Sequence, residues 1–456
     1  MGCTCAAEIK DPNQLIIRGE RENKNENVNS NKNDNHNNDN NKVEKVQVQR
    51  DSKRKEISFD KEKCVSINST IPTRVNTNLQ SLKDIMKSKT QDLSEVQKSY
   101  VLFLWICQNV NYDAEGYFAG RNVDCTPEGV FRNGKTVCSG YARLYREIAL
   151  YLGLNVECVN CYAKGVGYEP GQKVSGTNHE YNVINLNSNW YPLDSTWGAG
   201  HIEGNQFKKE FNEFYFLPNP ELLIKTHFPE NEKWQLTEKK YTIEEFLKWP
   251  KINNNFNKYE FNKYYPEEGF INLKDKNTQK FKVWGNNIEK RGLACNTFLL
   301  EGNCYNQQLN TTMVNFIEDR FEVDCVFNKK GRYRVLLYGK NKGQQMSQEI
   351  ITYVVNVEND AKEELKFPHN YSGSEDINII EPLYDNLKTG DKVKFKIKSA
   401  LDSIIIVDGK WYYLERNEQG FFEEEITIQS LKGGSLIVGK KNENNGCSYL
   451  VQYSIN

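Results

Sequence analysis

The spacing of apolar residues changes once along this 456-residue chain, and that change limits what it can fold into. Up to about residue 250 apolar positions recur at helical spacing, with short strand-like runs between them. Leu93 to Val110 carries Val96, Tyr100, Leu102, Phe103, Trp105 and Ile106. Cys138 to Leu152 carries Ala142, Leu144, Tyr145, Ile148 and Ala149, after a loop at Gly134-Lys135-Thr136 and before a Gly153 C-cap. Strands are expected at Val156 to Tyr162, Glu180 to Leu186 and Trp190 to Leu193. From about Tyr264 the period falls to two, as in Phe321 to Phe327, Tyr333 to Tyr338 and Ile350 to Val357. Residues 360–376, with Pro368 and Ser372-Gly373-Ser374, form a polar linker, and a second strand set runs from Lys392 to Ile455. The pattern predicts an α+β core over residues 75–250 followed by two all-β, sandwich-like domains at 260–359 and 375–456. Neither β unit shows a catalytic cluster, so binding or spacing is their expected role.

The N-terminus reads differently. Between Asn23 and Asn41, 11 of 19 residues are asparagine, a stretch with too little apolar surface to offset its chain entropy. A disordered tail over residues 1–70 is expected, and it accounts for a hydrophobic fraction of only 38%. Gly2, once Met1 is removed, is a candidate for myristoylation, with Cys3 and Cys5 as palmitate acceptors, although Ala6 departs from the Ser or Thr of the simple pattern. Two acyl chains would hold the protein stably on the cytosolic face of a membrane. No run is long enough to span one: the densest, Tyr100 to Cys107, has eight apolar residues, and no secretory signal is read. Sixty basic against 61 acidic residues give no basic surplus for nucleic acid. Twelve cysteines over this length, without an export signal, are expected to be reduced thiols.

The chemistry lies in the core. Cys138 stands at the first turn of its helix, where the helix N-terminus favours an anionic sulfur. It needs a base, and the chain has five histidines. His36 falls in the tail and His369 in the linker, leaving His179, His201 and His227. His179 follows Cys138 by 41 residues and opens a strand; Asp194 follows 15 residues later. A hairpin turning at Asn187-Ser188-Asn189 would bring Asp194 beside His179, completing nucleophile, base and orienting carboxylate. The amide of Cys138 is one expected oxyanion donor, and the Trp105 to Gln108 segment is considered for a second. Cys158 and Cys161 form a CxxC without a second pair, and strand alternation turns them to opposite faces, so no metal site is expected there. No calcium-loop pattern and no cofactor motif is found.

Gly134 to Ala142, Asn178 to Val183 and Trp190 to Gly198 resemble the transglutaminase-like superfamily. Trp105-Ile106, Asn111-Tyr112-Asp113, Leu223 to Pro229 and Trp234-Gln235-Leu236 are similar to its kyphoscoliosis-peptidase-like branch. The resemblance implies a papain- or transglutaminase-like core with Cys138 as nucleophile, His179 as base and acid, Asp194 as orienter, and His227 in a structural packing turn. It implies a cysteine peptidase or a protein-glutamine acyltransferase acting on protein amides or peptide bonds. The alternative is a catalytically silent adaptor that binds cytoskeletal or membrane partners.

Overall fold

The computed structural model describes residues 57–301, 304–371, 377–399, 402–407, 409–429, 433–441 and 446–455. The asparagine tract and Gly2, Cys3 and Cys5 lie outside the described residues. Two compact units are present: one holds 57–166 and 173–246, the other 167–172 and 247–455.

The first unit begins earlier than expected. Helix α1 (Lys61–Ser69) lies inside the segment assigned to the tail, started by the Asp60 carboxylate accepting from the Lys63 amide. Its Cys64 is buried against the core, so apolar contact rather than composition decides this boundary. Helices α2 (Leu79–Thr90) and α3 (Glu95–Asn109) follow, α3 opening on a Ser94/Gln97 capping box. Almost every residue of α3 from Ser99 to Cys107 is buried, which explains why its apolar residues surround the axis instead of lining one face.

Next come β1 (Asn111–Tyr112), α4 (Ala114–Phe118) and α5 (Pro127–Asn133), closed by Gly134 at a left-handed φ of 67°. The expected loop at 134–136 is corrected here: Lys135–Thr136 is a strand, β2, parallel to β1. Helix α6 (Cys138–Tyr151) then buries Tyr141, Leu144, Tyr145 and Ile148 on one face. The Tyr145 hydroxyl is 2.7 Å from that of Ser99 on α3.

Strands β3 (Asn155–Ala163), β4 (His179–Leu186) and β5 (Asn189–Leu193) enclose most of the remaining core. Asn187 and Ser188 carry φ of 51° and 64°, the pairing of a two-residue hairpin turn, and they set Leu186 opposite Asn189. After α7 (Ser195–Ala199), the hairpin β6 (Gly200–Glu203) and β7 (Gln206–Lys209), and α8 (Pro220–Leu223), strand β8 (His227–Pro229) returns to the sheet. The order is β5-β4-β3-β8, so β3 has β4 on one side and β8 on the other.

The second unit contains two sandwiches, each with its own core. The first stacks a six-stranded sheet around Gln348–Val357 and Gly331–Asn341 on a four-stranded sheet around Thr278–Gly285 and Arg320–Val326. Phe281 and Tyr353 meet between them at 4.7 Å. The other pairs a five-stranded sheet with a three-stranded one; six of these strands stand where the alternation predicted them, while His369–Asn370 and Ile377–Glu381 were not expected. Part of the segment expected to be a polar linker is packed. Phe367 is fully buried with Met313 and Val326, and His369–Asn370 pairs with Cys447–Ser454. Leu365 packs against the same cluster, and Asn328 hydrogen-bonds both the carbonyl and the amide of Leu365. In the same unit, Glu169 accepts from Arg334, from Arg332 and, at 2.9 Å, from the Tyr305 hydroxyl.

Candidate active site

Cys138 is the first residue of α6, and its N-cap, Val137, supplies no capping side chain, so the positive end of the helix favours negative charge on the sulfur. Gly140 makes this start possible. A Cβ there would lie 2.0 Å from Thr136 Oγ1, so only glycine lets β2 and the first turn of α6 approach so closely. Cys138 is half-buried, within reach of a substrate.

His179 is the first residue of β4. The preceding loop is pinned by Asn178, whose side chain accepts from the Ala163 amide at 2.6 Å and donates to the Ala163 carbonyl at 3.0 Å. His179 Nε2 lies 2.8 Å from Asp194 Oδ2. Cys138 acts on the same ring, raising its pKa after Asp194, and with Nε2 on the carboxylate, Nδ1 is the nitrogen left for the sulfur.

Asp194 caps α7. Its Oδ1 accepts the amides of Thr196 (2.8 Å) and Trp197 (3.1 Å), while Oδ2 faces His179 and, at 3.1 Å, Nε2 of His227. Cys107 of α3 donates to the Ser195 carbonyl at 3.5 Å and holds the turn from below. Burial alone would push the Asp194 pKa up, but His179 first and then His227 hold it well below the carboxylate range. Burial pulls His179 down; Asp194 and then Cys138 outweigh it and raise its pKa to about 10. The pair therefore favours the imidazolium form of His179 at neutral pH.

The three residues expected from the sequence are thus brought together. His227 is not confined to a packing turn as expected: it is fully buried and hydrogen-bonded to Asp194. Its signal in the sequence was only that it is one of three histidines in the core. In the segment considered for a second oxyanion donor, Trp105 itself is committed to packing. The indole N–H donates to the Pro72 carbonyl at 2.9 Å and the ring stacks on Phe131, so it serves the core. Sequence reasoning gave no role to two phenols that feel the Cys138 charge. Burial first, and then that charge, raise the pKa values of Tyr112 and Tyr117, keeping both as neutral O–H donors. His201 lies on exposed β6, 3.5 Å from Glu210.

His179, Asp194 and His227 offer ligand atoms within 4.8 Å of one another, the donor set of a metal site. Both ring nitrogens, however, point at one carboxylate oxygen at hydrogen-bond distances of 2.8 and 3.1 Å, and the other oxygen is occupied by two amides. A hydrogen-bonded triad accounts for every contact. Cys158 and Cys161 differ in burial along β3, in keeping with opposite faces.

Residues 80–195 match the model of the transglutaminase-like superfamily. Kyphoscoliosis peptidase of Mus musculus is 35% identical over 168 residues, covering 36% of this chain and 25% of that protein. The Homo sapiens protein is 34% identical over 183 residues, covering 40% and 26%. The crystal structure of red sea bream transglutaminase superposes at a TM-score of 0.21 and 8% identity over 87% of this chain and 73% of that one, a score too low to establish a shared fold. The match to the curated relatives thus spans 25% and 26% of their lengths. Residues 80–195 form a transglutaminase-like domain, and part of the chain is similar to kyphoscoliosis peptidase.

Proposed function

We propose that this protein is a membrane-tethered cysteine peptidase or protein-glutamine acyltransferase that works through a Cys138–His179–Asp194 triad. The observation that carries this reading is the division of the His179 ring, with Nε2 on Asp194 at 2.8 Å and the other nitrogen turned to Cys138 at a helix start. The Cys138 sulfur attacks the carbonyl carbon of an amide, forming a C–S bond while the carbonyl π electrons move to oxygen. The oxyanion is received by the Cys138 amide, and we assign the second donor to Tyr112, whose phenol is kept neutral by burial and then by the Cys138 charge. When the C–N bond breaks, the His179 Nδ1 proton goes to the departing nitrogen, leaving an acyl thioester. Water or an amine then attacks the thioester, its proton passes to His179, and the C–S bond breaks. Water gives hydrolysis, as the name of the curated relatives suggests; an amine gives transfer.

Incubation with a glutamine-bearing protein and a labelled amine, scored for both incorporation and cleavage, tests the proposal. Either product should appear and be lost in Cys138→Ala. The absence of both, with labelling of Cys138 by a thiol-directed probe unchanged in His179→Ala, would leave the adaptor reading. The tether rests on Gly2, Cys3 and Cys5 in the sequence. Among the described residues no helix is long and apolar enough to cross a membrane. Gly2→Ala should shift the protein out of the membrane fraction; unchanged partitioning would refute the lipid anchor.

A further inference from the structure

The register of the sheet brings a second histidine to the catalytic carboxylate. His179 pairs across β4–β3 with Cys161, and His227 pairs across β8–β3 with Ala163. Cys161 and Ala163 are two apart on one strand and so share a face, which turns both imidazoles to the same side. There they meet at Asp194 Oδ2, at 2.8 Å and 3.1 Å. His227 is fully buried, 4.4 Å from the Trp197 ring and 5.7 Å from Tyr181. On its far side, Nδ1 lies 2.8 Å from the hydroxyl of Thr226. Burial, outweighing the bond to Asp194, keeps His227 below its usual pKa and therefore neutral. A neutral ring beside a carboxylate carries its proton on Nε2, and Nδ1 then accepts from Thr226.

We propose that His227, backed by Thr226, is a positioning residue for the triad: it shares Asp194 Oδ2 with His179 and so weakens that oxygen's hold on the catalytic imidazole. The inference rests on the triad reading above. An oxygen that accepts two N–H bonds is a poorer acceptor for each than one that accepts a single bond. A general acid held too firmly to its proton surrenders it slowly to a leaving nitrogen, because efficiency depends on a pKa near the working pH. The ionisable groups around His179 are Cys138 from α6, Asp194 from the cap of α7 and His227 from β8. Cys107 from α3, Tyr112 from β1, Tyr141 from α6, Cys161 from β3, Tyr181 from its own strand and Tyr215 stand around Asp194. Of these, His227 and His179 are the side chains bonded to Oδ2. Oδ1 stays bound to two amides when His227 is removed, so the carboxylate is not released to swing away.

The test follows the His179 imidazole by NMR titration of the full chain in a Cys138→Ala background, where the sulfur no longer contributes. Adding His227→Leu should raise the His179 titration midpoint by about one pH unit, and His227→Gln, which retains an N–H donor, should restore most of it. In the protein with Cys138 intact, His227→Leu should lower kcat by about three- to tenfold with KM unchanged. An unchanged or lowered midpoint in His227→Leu would overturn the proposal. If that variant does not fold, Thr226→Val decides: a weaker N–H donor predicts a smaller rise, and no rise overturns it. The titration needs no turnover. An inactive protein with the expected shift would sink the proposed function and leave the role of His227 standing, whereas an active one without the shift would do the reverse.

Discussion

Asp194→Asn keeps the shape of the orienting side chain and removes its charge, which makes it the sharpest test of the triad. The carboxylate accepts four N–H bonds, two from backbone amides on Oδ1 and two from imidazoles on Oδ2. An asparagine has one accepting end. If its oxygen stays with Thr196 and Trp197, its amide group faces two imidazole nitrogens and leaves His179 neutral with its proton on Nδ1, so that the imidazolium and thiolate pair no longer forms. If the amide flips, its donors meet two backbone donors. The rise of the His179 pKa to about 10 from an ordinary 6.5 corresponds to about 5 kcal/mol in favour of the imidazolium, supplied by Asp194 first and Cys138 second against the cost of burial. Without Asp194, burial dominates and His179 should titrate below its ordinary value. Turnover should fall on the order of 10⁴-fold, or about 5 kcal/mol of barrier. The pH profile of kcat/KM should lose an alkaline limb that in the unaltered protein lies near pH 10, since activity ends when His179 gives up its proton. Asp194→Asn retaining a tenth of the activity, or an alkaline limb still near pH 10, would refute the reasoning.

Tyr112→Phe should lower kcat by about 10- to 100-fold with little change in KM, if its phenol faces the oxyanion; a change confined to KM would assign it to substrate binding. Gly140→Ala places a methyl group 2.0 Å from Thr136 Oγ1, so urea denaturation should show a loss of about 1–3 kcal/mol together with reduced probe labelling of Cys138. Glu169 responds to acid. Burial pushes its pKa up, but Arg334, Tyr305 and Arg332 leave it below the usual value, so its contribution is present above about pH 4.3 and fades as pH falls through the lower folded value. Glu169→Gln should therefore cost about 1–2 kcal/mol at neutral pH, measured by urea unfolding of the second unit, and clearly less at pH 3.

Much of the fold was legible because it is written locally. Helical spacing in α3 and α6, period-two alternation in the sandwiches, and Gly153 at the end of α6 act within a few residues of one another, and the elements appear where those signals stand. Part of the site was legible for the same reason. A two-residue turn at Asn187 and Ser188 makes β4 and β5 neighbours, and a hairpin brings residues 15 apart, His179 and Asp194, into contact without knowledge of the rest of the sheet. Composition misled where a few apolar contacts outweighed it, as with Cys64 and Ile67 of α1 and with Leu365 and Phe367 in the expected linker.

What the sequence alone determined, then, is the change from a mixed core to all-β units, the principal helices and strands of each, and the hairpin that sets His179 beside Asp194. The tertiary structure decided which distant residues share that site. His227 reaches Asp194 because β8 joins the free side of β3 in a register that sets Ala163 opposite it. A slip of one residue would turn the imidazole to the other face. Trp105 was decided in the same way, since only the packing of α3 shows its N–H committed to Pro72. Strand order and register arise from burying whole faces together, and that energy belongs to the assembled core and to no short stretch of chain.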